Sequence, residues 1–448
     1  MDQQPDRIGP QPGPQEAFLS SPADIVIYGG AAGGGKTYGL LLECLRHVGR
    51  AGFFAVILRR EAVQISNPGG LWDTAMGIYP LAGGIPRRSP NLRFGWRDSK
   101  VAFAHLNRDG DVLDYQGSQI ALICFDELTH FSEYQFWYML SRNRSLCGVR
   151  PYVRATTNPD ADSWVAQLIA WWVDETGAPI QERAGVLRYF IRVGDTITWG
   201  DSPAELIAEH GAQPEDVKSL TFIPARVDDN LALMRADPGY VANLRMLPIV
   251  ERERLLNGNW KIRPAAGLYF PRDLAHYVHV PPDCTQIFRA WDLAATAAPD
   301  ADATASVKLG RTASGRYVVL DVTHFRRAAH DVRQAILATA QSDGRHIPIV
   351  LPQDPGQAGK DQAQSLVALL AGHIVKLRAP SRDKITRALP FASQWQAGGV
   401  DLVAGDWTAG FVDELDGFPD GAHDDRVDAA SDAFAELQGG PTYVFGRR

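Results

Sequence analysis

Residues 25–37 read IVIYGGAAGGGKT, a short apolar run of strand type that leads directly into a glycine-rich loop. The last eight residues of this stretch fit the pattern G-x-x-x-x-G-K-[ST]. Glycines let backbone N–H groups turn inward around phosphate oxygens, and a helix that starts there presents its positive end to them. Apolar residues from Leu40 to Val48 recur at helical spacing after the loop. This order of strand, loop and helix predicts a phosphate-binding site formed by Gly30, Gly33, Gly34, Gly35, Lys36 and Thr37.

An ATP-hydrolysing site also needs acidic residues on a neighbouring strand. Residues 120–125 (IALICF) have the composition of a buried strand, and Asp126 and Glu127 follow them directly. Lys36 would reach the β- and γ-phosphates, while the Thr37 hydroxyl and Asp126 would hold magnesium. Glu127 would orient and deprotonate the attacking water. Two acids at the end of a strand are also common in ordinary turns, but behind such a loop the pair favours ATP hydrolysis.

Four arginines are candidates for completing this site. Arg59 and Arg60 end the strand predicted over residues 53–58, and Arg142 and Arg144 follow the acidic pair. Any of them could stabilise charge on the γ-phosphate, within the subunit or from a neighbouring subunit. Arg59 and Arg142 are favoured, and the alternative for each is an ordinary surface or structural arginine.

Another predicted strand begins at Tyr152 and ends at Thr156, Thr157 and Asn158, just before Pro159. Small polar residues at the carboxyl end of a strand can sense the γ-phosphate and pass that information on. A plain turn fits the composition equally well.

The second half of the chain has a different order of elements. Strands are predicted over residues 286–292, 303–309 and 316–322, a helix over 328–341 and a further strand over 347–351, after which helices and strands alternate. Three strands followed by helix, strand, helix, strand and helix is the order of the ribonuclease H-like fold. In that fold the first and fourth strands are neighbours.

Acidic residues stand where this fold would bring them together. Asp292 ends the first strand, Asp354 lies just past the fourth, and Asp424, Asp425 and Asp428 lie at the start of the last long helix. Clustered carboxylates are unfavourable unless cations neutralise them, so the cluster predicts two bound Mg²⁺ or Mn²⁺ ions that would support phosphodiester hydrolysis. Asp425 is the first choice within the helix, with Asp424 and Asp428 secondary; capping of the helix is the alternative role for these acids.

Bulk properties set the outer limits. A chain of 448 residues is too long for one core and predicts two or three domains. The net charge of −7 neither indicates nor excludes a nucleic-acid partner. No apolar run is long enough for a membrane helix, so no membrane partner is expected. The expected division is a flexible leader (1–14), an ATPase domain (15–262), a hinge (263–272), a nuclease domain (273–437) and a flexible tail (438–448).

Taken together, the motifs resemble those of the large terminase subunits of tailed bacteriophages. The glycine-rich loop, residues 126–131 (DELTHF), residues 141–144 (SRNR) and residues 156–159 (TTNP) resemble successive motifs of the terminase ATPase domain. Residues 15–19 (QEAFL), led by Gln15, resemble the segment of that domain that contacts adenine. Residues 291–296 (WDLAAT) and 423–428 (HDDRVD) resemble motifs of the terminase nuclease domain.

The resemblance implies an α/β chain in which a P-loop NTPase domain of the ASCE type precedes a ribonuclease H-like nuclease domain. It implies ATP with Mg²⁺ as cofactor, a role for Thr157 and Asn158 in coupling hydrolysis to movement, and cleavage of concatemeric DNA by a two-metal site. The implied partners are double-stranded DNA, the portal protein, a small terminase subunit and further copies in a ring, commonly of five, in the host cytoplasm. A P-loop helicase or repair nuclease, and an inactive prophage scaffold protein, are the alternatives.

Basic residues between the acids of the second half could hold DNA, although a solvated helix face explains each of them equally well. They are Arg326, Arg327, Lys360, Arg378, Arg382, Lys384 and Arg387.

Overall fold

The computed structural model describes residues 8–293, 303–353, 356–379, 383–421 and 423–439, which form two units. The first unit holds the described residues up to Arg245 together with Glu251–Arg263. The second holds Met246–Val250 and the described residues from Pro264 onward. Within the described residues, no helix is both long and apolar enough to cross a membrane.

The described part of the first unit contains one ten-stranded sheet with the order β3-β4-β5-β2-β6-β7-β1-β10-β8-β9. The six central strands, from β5 to β10 in this order, are parallel, and short antiparallel strands extend the sheet at both edges. The strands are β1 (Ile25–Gly30), β2 (Phe54–Arg59), β3 (Ile85–Arg87), β4 (Arg93–Gly95), β5 (Lys100–His105), β6 (Leu122–Phe125), β7 (Tyr152–Thr157), β8 (Arg188–Val193), β9 (Thr196–Gly200) and β10 (Lys218–Ala225).

Apolar layers cover both faces of this sheet. Ile25 and Ile27 of β1 belong to one buried cluster, whereas Val26 and Tyr28 belong to another on the opposite face. A parallel strand that is buried on both faces needs such a continuous apolar run, which is why β1 shows no alternation. The helices in chain order are α1 (Pro14–Ser20), α2 (Lys36–Leu45), α3 (Ala62–Ser66), α4 (Leu71–Ile78), α5 (Glu133–Leu140), α6 (Trp164–Leu168), α7 (Pro203–His210), α8 (Leu231–Ala236), α9 (Tyr240–Arg245) and α10 (Ile249–Leu255).

The second unit is built on a seven-stranded sheet, counted over its described residues, with the order β11-β17-β14-β13-β12-β15-β16. The strands are β11 (His276–Val278), β12 (Cys284–Asp292), β13 (Thr304–Thr312), β14 (Tyr317–Phe325), β15 (Ile349–Pro352), β16 (Val375–Arg378) and β17 (Val400–Val403). Strands β12, β13 and β14 form an antiparallel meander, and β15 pairs in parallel with β12. The predicted adjacency of the first and fourth strands is therefore confirmed.

Helices pack on both faces of the second sheet. They are α11 (Ala329–Asp343), α12 (Gln357–Leu369), α13 (Lys384–Gln396), α14 (Thr408–Gly417) and α15 (Asp425–Gln438). Trp291 of β12 is buried in a cluster with residues of α11 and α12. The ring centroid of Phe434 in α15 lies 4.5 Å from that of Tyr317 and 5.6 Å from that of Phe391. Helix α15 also packs against β12 and β13, so the acids at its start lie near the strand that ends in Asp292.

Candidate functional site

The glycine-rich loop lies between β1 and α2, where its backbone conformation requires glycine. Gly30, Gly33 and Gly35 have φ values of 132°, 75° and 73°, a region that side chains rarely adopt. A Cβ atom at Gly30 would also lie 2.4 Å from the carbonyl oxygen of Ala225. The loop borders an open cavity of about 340 Å³, which is lined by residues that include Gly34, Lys36, Thr37, Glu127, Asn158 and Asn230.

Lys36 is buried and donates from Nζ to the carbonyl oxygen of Gly30 at 3.3 Å and to that of Ala31. Burial lowers its pKa to about 8, and Glu127 and Asp126 oppose this change. The ammonium group is thus held at the loop in surroundings that favour the approach of further negative charge.

Asp126 follows β6 and is fully buried. Its Oδ1 accepts hydrogen bonds from Thr37 Oγ1 at 3.2 Å and Thr156 Oγ1 at 2.5 Å. Its Oδ2 accepts from Arg59 Nε at 2.7 Å. The structure therefore brings together the loop threonine, the first acid, an arginine and the end of β7.

Glu127 has a φ of 63°, the one positive value at a non-glycine residue among the described residues. Such strain is maintained only where the surroundings fix it, and it clusters at functional sites. Asn158 Nδ2 donates to both carboxylate oxygens of Glu127 at 2.9 Å, and its backbone N–H donates to Oε2 at 3.3 Å. Thr157 Oγ1 lies 3.1 Å from Thr129 Oγ1, just after the acidic pair. The segment proposed for coupling thus directly contacts the second acid.

Amide side chains hydrogen-bond to the loop and to one another, and two of them, Asn230 and Gln11, were missed in the sequence analysis. Asn230 Nδ2 donates to the carbonyl oxygen of Gly33 at 2.7 Å, and Asn230 Oδ1 accepts from Gln11 Nε2 at 2.7 Å. Gln15 is buried, donates from Nε2 to the Gly35 carbonyl oxygen at 2.8 Å and accepts from the N–H of Gln11 at 2.7 Å. Its role in contacting adenine stays a prediction. Asn230 caps α8, and an asparagine before an apolar run was the signal that could have identified it.

The prediction of a flexible leader is wrong for the described residues 8–14. Ile8 packs against the core, Gln11 hydrogen-bonds as above, and helix α1 already begins at Pro14. The polar, proline-rich composition gave no periodic signal, because this segment is held mainly by amide hydrogen bonds. Residues 1–7 lie outside the described residues.

Of the arginine candidates, Arg59 is at the site through Asp126. Arg60 instead donates to Gln135 Oε1 at 2.9 Å. The carbonyl oxygen of Arg142 accepts from the N–H of Ile120, just before β6, whereas Asp126 follows the other end of that strand. The prediction that Arg142 contacts nucleotide in its own subunit is therefore wrong. Arg144 lies at the same distant end, bonded to the carbonyl oxygens of residues 117 and 118.

In the second unit, Asp292 and Asp425 are brought together. Asp292 ends β12, and burial raises its pKa to about 8, with smaller contributions from Asp428 and Asp425. Asp425 begins α15, is buried and accepts from the N–H of Ala303 at 3.1 Å. His324 Nε2 lies 3.7 Å from its Oδ2. Asp354, the third predicted ligand, lies outside the described residues.

The two other predicted acids of α15, Asp424 and Asp428, form salt bridges with basic side chains. Lys384 Nζ lies 2.5 Å from Asp424 Oδ2, and Arg387 Nη2 lies 2.7 Å from Asp428 Oδ2. Burial raises the pKa of Asp428 to about 6, although Arg387 opposes this change. Asp432, one turn further along α15, was not predicted, and it pairs with Arg378 at 3.0 Å. Among the described residues, no group of three or more His, Cys, Asp or Glu side chains is arranged to hold a metal ion.

The remaining basic candidates have local contacts. Arg326 lies 2.8 Å from the ring of His423, and the guanidinium of Arg327 lies 4.7 Å from the ring centroid of Phe325. Arg382 lies outside the described residues. The role of these residues in holding DNA stays a prediction.

Comparison with known protein families covers both units. Residues 27–275 match the model of the terminase large subunit, T4likevirus-type, N-terminal, and residues 289–437 match the terminase RNaseH-like domain. The comparison with curated proteins finds no match.

Among solved structures, the large terminase of the thermophilic bacteriophage D6E (crystal form 2) aligns over 96% of this chain and 100% of its own, with 15% identity and a TM-score of 0.61. The complex of that terminase with ADP covers 95% of this chain and 99% of its own, with 16% identity and a TM-score of 0.59. Its complex with ATP-γ-S covers 95% and 98%, with 15% identity and a TM-score of 0.57. At this level of identity the likeness concerns the fold.

The N-terminal family model spans more than half of the chain, and the nuclease-domain model follows it in the expected order. This arrangement does not favour the helicase, repair-nuclease or scaffold alternatives. The chain therefore belongs to the phage large terminase family, as a DNA-packaging enzyme with an ATPase domain and an RNase H-like endonuclease domain.

Proposed function

We propose that the loop around Lys36 and the acids around Asp292 are the ATPase and nuclease centres of the packaging motor. ATP hydrolysis at the first would drive double-stranded DNA into the procapsid, and the second would cut concatemeric DNA. The observation that carries the first assignment is the contact of Asp126 with Thr37, Thr156 and Arg59. Four elements of the first unit converge there on one buried carboxylate.

The residues of the loop fit a bound nucleotide triphosphate. A glycine cradle that no Cβ atom could enter lets the backbone approach phosphate oxygens closely. Lys36 would exchange the loop carbonyl oxygens for the β- and γ-phosphates, while Thr37 and Asp126 would hold Mg²⁺. When bound, this ion neutralises phosphate charge. Gln15 would contact adenine.

Glu127 would accept the proton of the attacking water, and Asn158 would set the orientation of its carboxylate. Because Asn158 is continuous with Thr157 and β7, a change in the contacts of Glu127 would reach the central sheet. We propose that these two residues couple hydrolysis to movement. Arg59 would stabilise γ-phosphate charge within the subunit, whereas Arg142 would do so only in the site of a neighbouring subunit.

The acids of the second unit fit hard divalent cations. Asp425 is buried and Asp292 is half-buried, near enough for the charge of Asp425 to raise the pKa of Asp292. The Oδ1 atom of Asp428 is buried without a partner among the described residues. We propose that Asp292, Asp425 and Asp354 hold two Mg²⁺ or Mn²⁺ ions, with Asp424 and Asp428 as secondary ligands. Such ions, when bound, activate a water and stabilise the leaving oxygen of a phosphodiester.

Membership of the family supports the proposed partners and location. These are double-stranded DNA, the portal protein, a small terminase subunit and a homo-oligomeric ring, commonly of five subunits, on the procapsid in the host cytoplasm. Residues 263–272 are proposed as the hinge between the ATPase domain (15–262) and the nuclease domain (273–437), with residues 438–448 as a flexible tail.

Separation of the two activities by mutation tests this proposal. Plasmid cleavage with Mg²⁺ or Mn²⁺ and ATP hydrolysis would be measured on the same samples of wild type, Asp292→Ala and Lys36→Ala. We expect Asp292→Ala to lose cleavage but keep ATPase activity, and Lys36→Ala to do the reverse. Cleavage by Asp292→Ala at the wild-type rate would show that the nuclease assignment is wrong.

A further inference from the structure

A cationic cavity lies at the opposite end of the parallel strands of the ATPase domain from the glycine-rich loop (residues 30–37, the P-loop). It has a volume of about 310 Å³, and four arginines line it together with two carboxylates, those of Asp24 and Glu43. Asp24 immediately precedes β1, whereas the P-loop follows that strand. Six residues of extended chain span about 20 Å, so this cavity is separate from the nucleotide site.

Arg154 is the most buried of the four arginines, with 3% of its surface exposed. Its Nη1 donates to the carbonyl oxygens of Ala23 and Val153 at 3.0 Å, and Nη2 donates to that of Ser21 at 2.8 Å. Its Nε is buried without a hydrogen-bond partner among the described residues. Burial lowers the pKa of this guanidinium. A buried cation whose hydrogen bonds go only to carbonyl oxygens is costly unless an anion compensates it.

The two carboxylates of the cavity are already engaged elsewhere. Glu43 accepts both hydrogen bonds of the Arg46 guanidinium at 2.9 Å and also the hydroxyl of Tyr152 at 2.8 Å. Asp24 accepts the backbone N–H of Ser219 at 2.9 Å and pairs with Arg150. Glu43 still attracts the guanidinium of Arg154 electrostatically, but neither Arg154 nor Arg50 forms a salt bridge among the described residues.

The other lining residues do not supply the missing negative charge. Burial, followed by the charge of Arg46, lowers the pKa of His47, which therefore stays neutral at pH 7. Ser20 and Ser21 also line the cavity, but the Ser20 hydroxyl already donates to the carbonyl oxygen of Glu16 at 2.8 Å and the Ser21 hydroxyl oxygen accepts from the N–H of Ala23 at 3.4 Å. The cavity is open to solvent, since the side chain of Arg150 is 74% exposed and that of Arg46 is 42% exposed. Its net charge is about +2, counted as four arginines against two carboxylates.

We propose that this cavity, centred on Arg154 and Arg50, binds a phosphate group. Guanidinium N–H groups are strong donors to phosphate oxygens, and the Nε–H of Arg154 and the exposed guanidinium of Arg50 are the donors that have no acceptor among the described residues. The phosphate belongs either to the DNA backbone or to a free phosphate compound, and these two sources share the same recognition chemistry. The site is independent of the catalytic assignments above.

The test uses the full chain carrying Lys36→Ala, which weakens phosphate binding at the P-loop. Inorganic phosphate is titrated calorimetrically into this protein, and into the same protein with Arg50→Gln added. Arg50 is exposed, so its substitution leaves the fold intact, whereas Arg154→Gln serves as a second variant. Arg97→Gln is the matched control, because the Arg97 side chain is 95% exposed and lies outside the cavity.

We expect Arg50→Gln to weaken phosphate binding about tenfold, the lower range for one charge-assisted hydrogen bond. Binding of a 30-base-pair duplex at several salt concentrations then identifies the source. A slope of log K against log salt that becomes less steep by about 0.9 indicates a lost backbone contact. An unchanged slope with weakened phosphate binding indicates a free phosphate compound. If Arg50→Gln binds phosphate as Arg97→Gln does, or if phosphate does not bind at all, the proposal is wrong.

ATPase turnover of Arg50→Gln without the Lys36 substitution is expected to equal that of wild type, because the cavity lies at the other end of the strands from the P-loop. A failure of phosphate binding with normal ATPase activity would therefore count against the cavity alone. Loss of ATPase activity in Lys36→Ala tests the proposed ATPase site and does not test this cavity.

Discussion

Replacement of Asp292 by asparagine should stabilise the nuclease domain in the absence of metal. The substitution keeps the size of the side chain and removes its charge. In the folded protein the pKa of Asp292 is raised to about 8, mainly by burial and then by Asp428 and Asp425. The carboxyl that we propose as a metal ligand is therefore a source of instability in the protein without metal.

The magnitude and its pH dependence follow from this pKa. An aspartate in an unfolded chain has a pKa of about 3.9, so the folded state holds this proton more tightly. The resulting stability is fully present below about pH 4 and is lost as the pH rises through about 8. Each pKa unit corresponds to about 1.36 kcal/mol, so the difference between about 3.9 and about 8 gives an upper limit of roughly 5.6 kcal/mol. Because relaxation and water entry reduce such costs, we expect Asp292→Asn to add about 2 to 4 kcal/mol above pH 8.

Hydrogen exchange of β12 and α15, followed by mass spectrometry in EDTA, measures this difference within one domain. Variant and wild type are compared at the same pH, so the intrinsic exchange rate cancels. Asp406→Asn, which alters an exposed acid of the same unit, is the control and should change nothing. The reasoning is refuted if Asp292→Asn is no more protected than wild type at pH 8, or if its advantage is as large at pH 4.

Three further predictions concern the ATP site. Gly30→Ala should abolish ATP binding or prevent folding, because its Cβ would lie 2.4 Å from the Ala225 carbonyl oxygen; nucleotide-dependent thermal stabilisation equal to wild type would contradict this. Asn230→Ala removes a cap and a 2.7 Å brace on the loop, so we expect a loss of about 1 kcal/mol in stability and a raised KM for ATP, against an unchanged kcat. Asn158→Ala should lower kcat about 10- to 100-fold with little change in KM, because the carboxylate of Glu127 loses two 2.9 Å hydrogen bonds. Faster hydrolysis by this variant would mean that Asn158 restrains Glu127 instead of positioning it.

The sequence was most informative where a backbone conformation or a buried strand leaves few choices. The loop at residues 30–37 needs its glycines, and the apolar runs before Asp126 and Asp292 could hardly be anything but buried strands. Both acids therefore follow from local pattern, and the pairing of β12 with β15 follows from the order of elements. These parts of the fold are confirmed.

Contacts between residues far apart in the chain could not be predicted in the same way. Gln11 and Asn230 are separated by 219 positions, and neither amide side chain has a periodicity that marks a partner. Arg142 illustrates the opposite error. It lies close to the acidic pair in sequence, but helix α5 returns the chain to the far end of β6. A prediction from closeness in sequence therefore placed Arg142 at the wrong end of strand β6.

The two sites differ in how their acids are stabilised, and this difference bears on control of the motor. Asp126 is compensated within its own domain by a guanidinium and two hydroxyl groups, so the ATP site is already ordered by protein contacts. In the nuclease domain Lys384 and Arg387 instead pair with flanking aspartates, and no salt bridge with a lysine or arginine is formed by Asp292 or Asp425 among the described residues. Because burial raises the pKa of Asp292 to about 8, bound cations favour the ionised form of this carboxyl. Cleavage should therefore respond steeply to divalent metal and pH, while the fold of the ATP site does not.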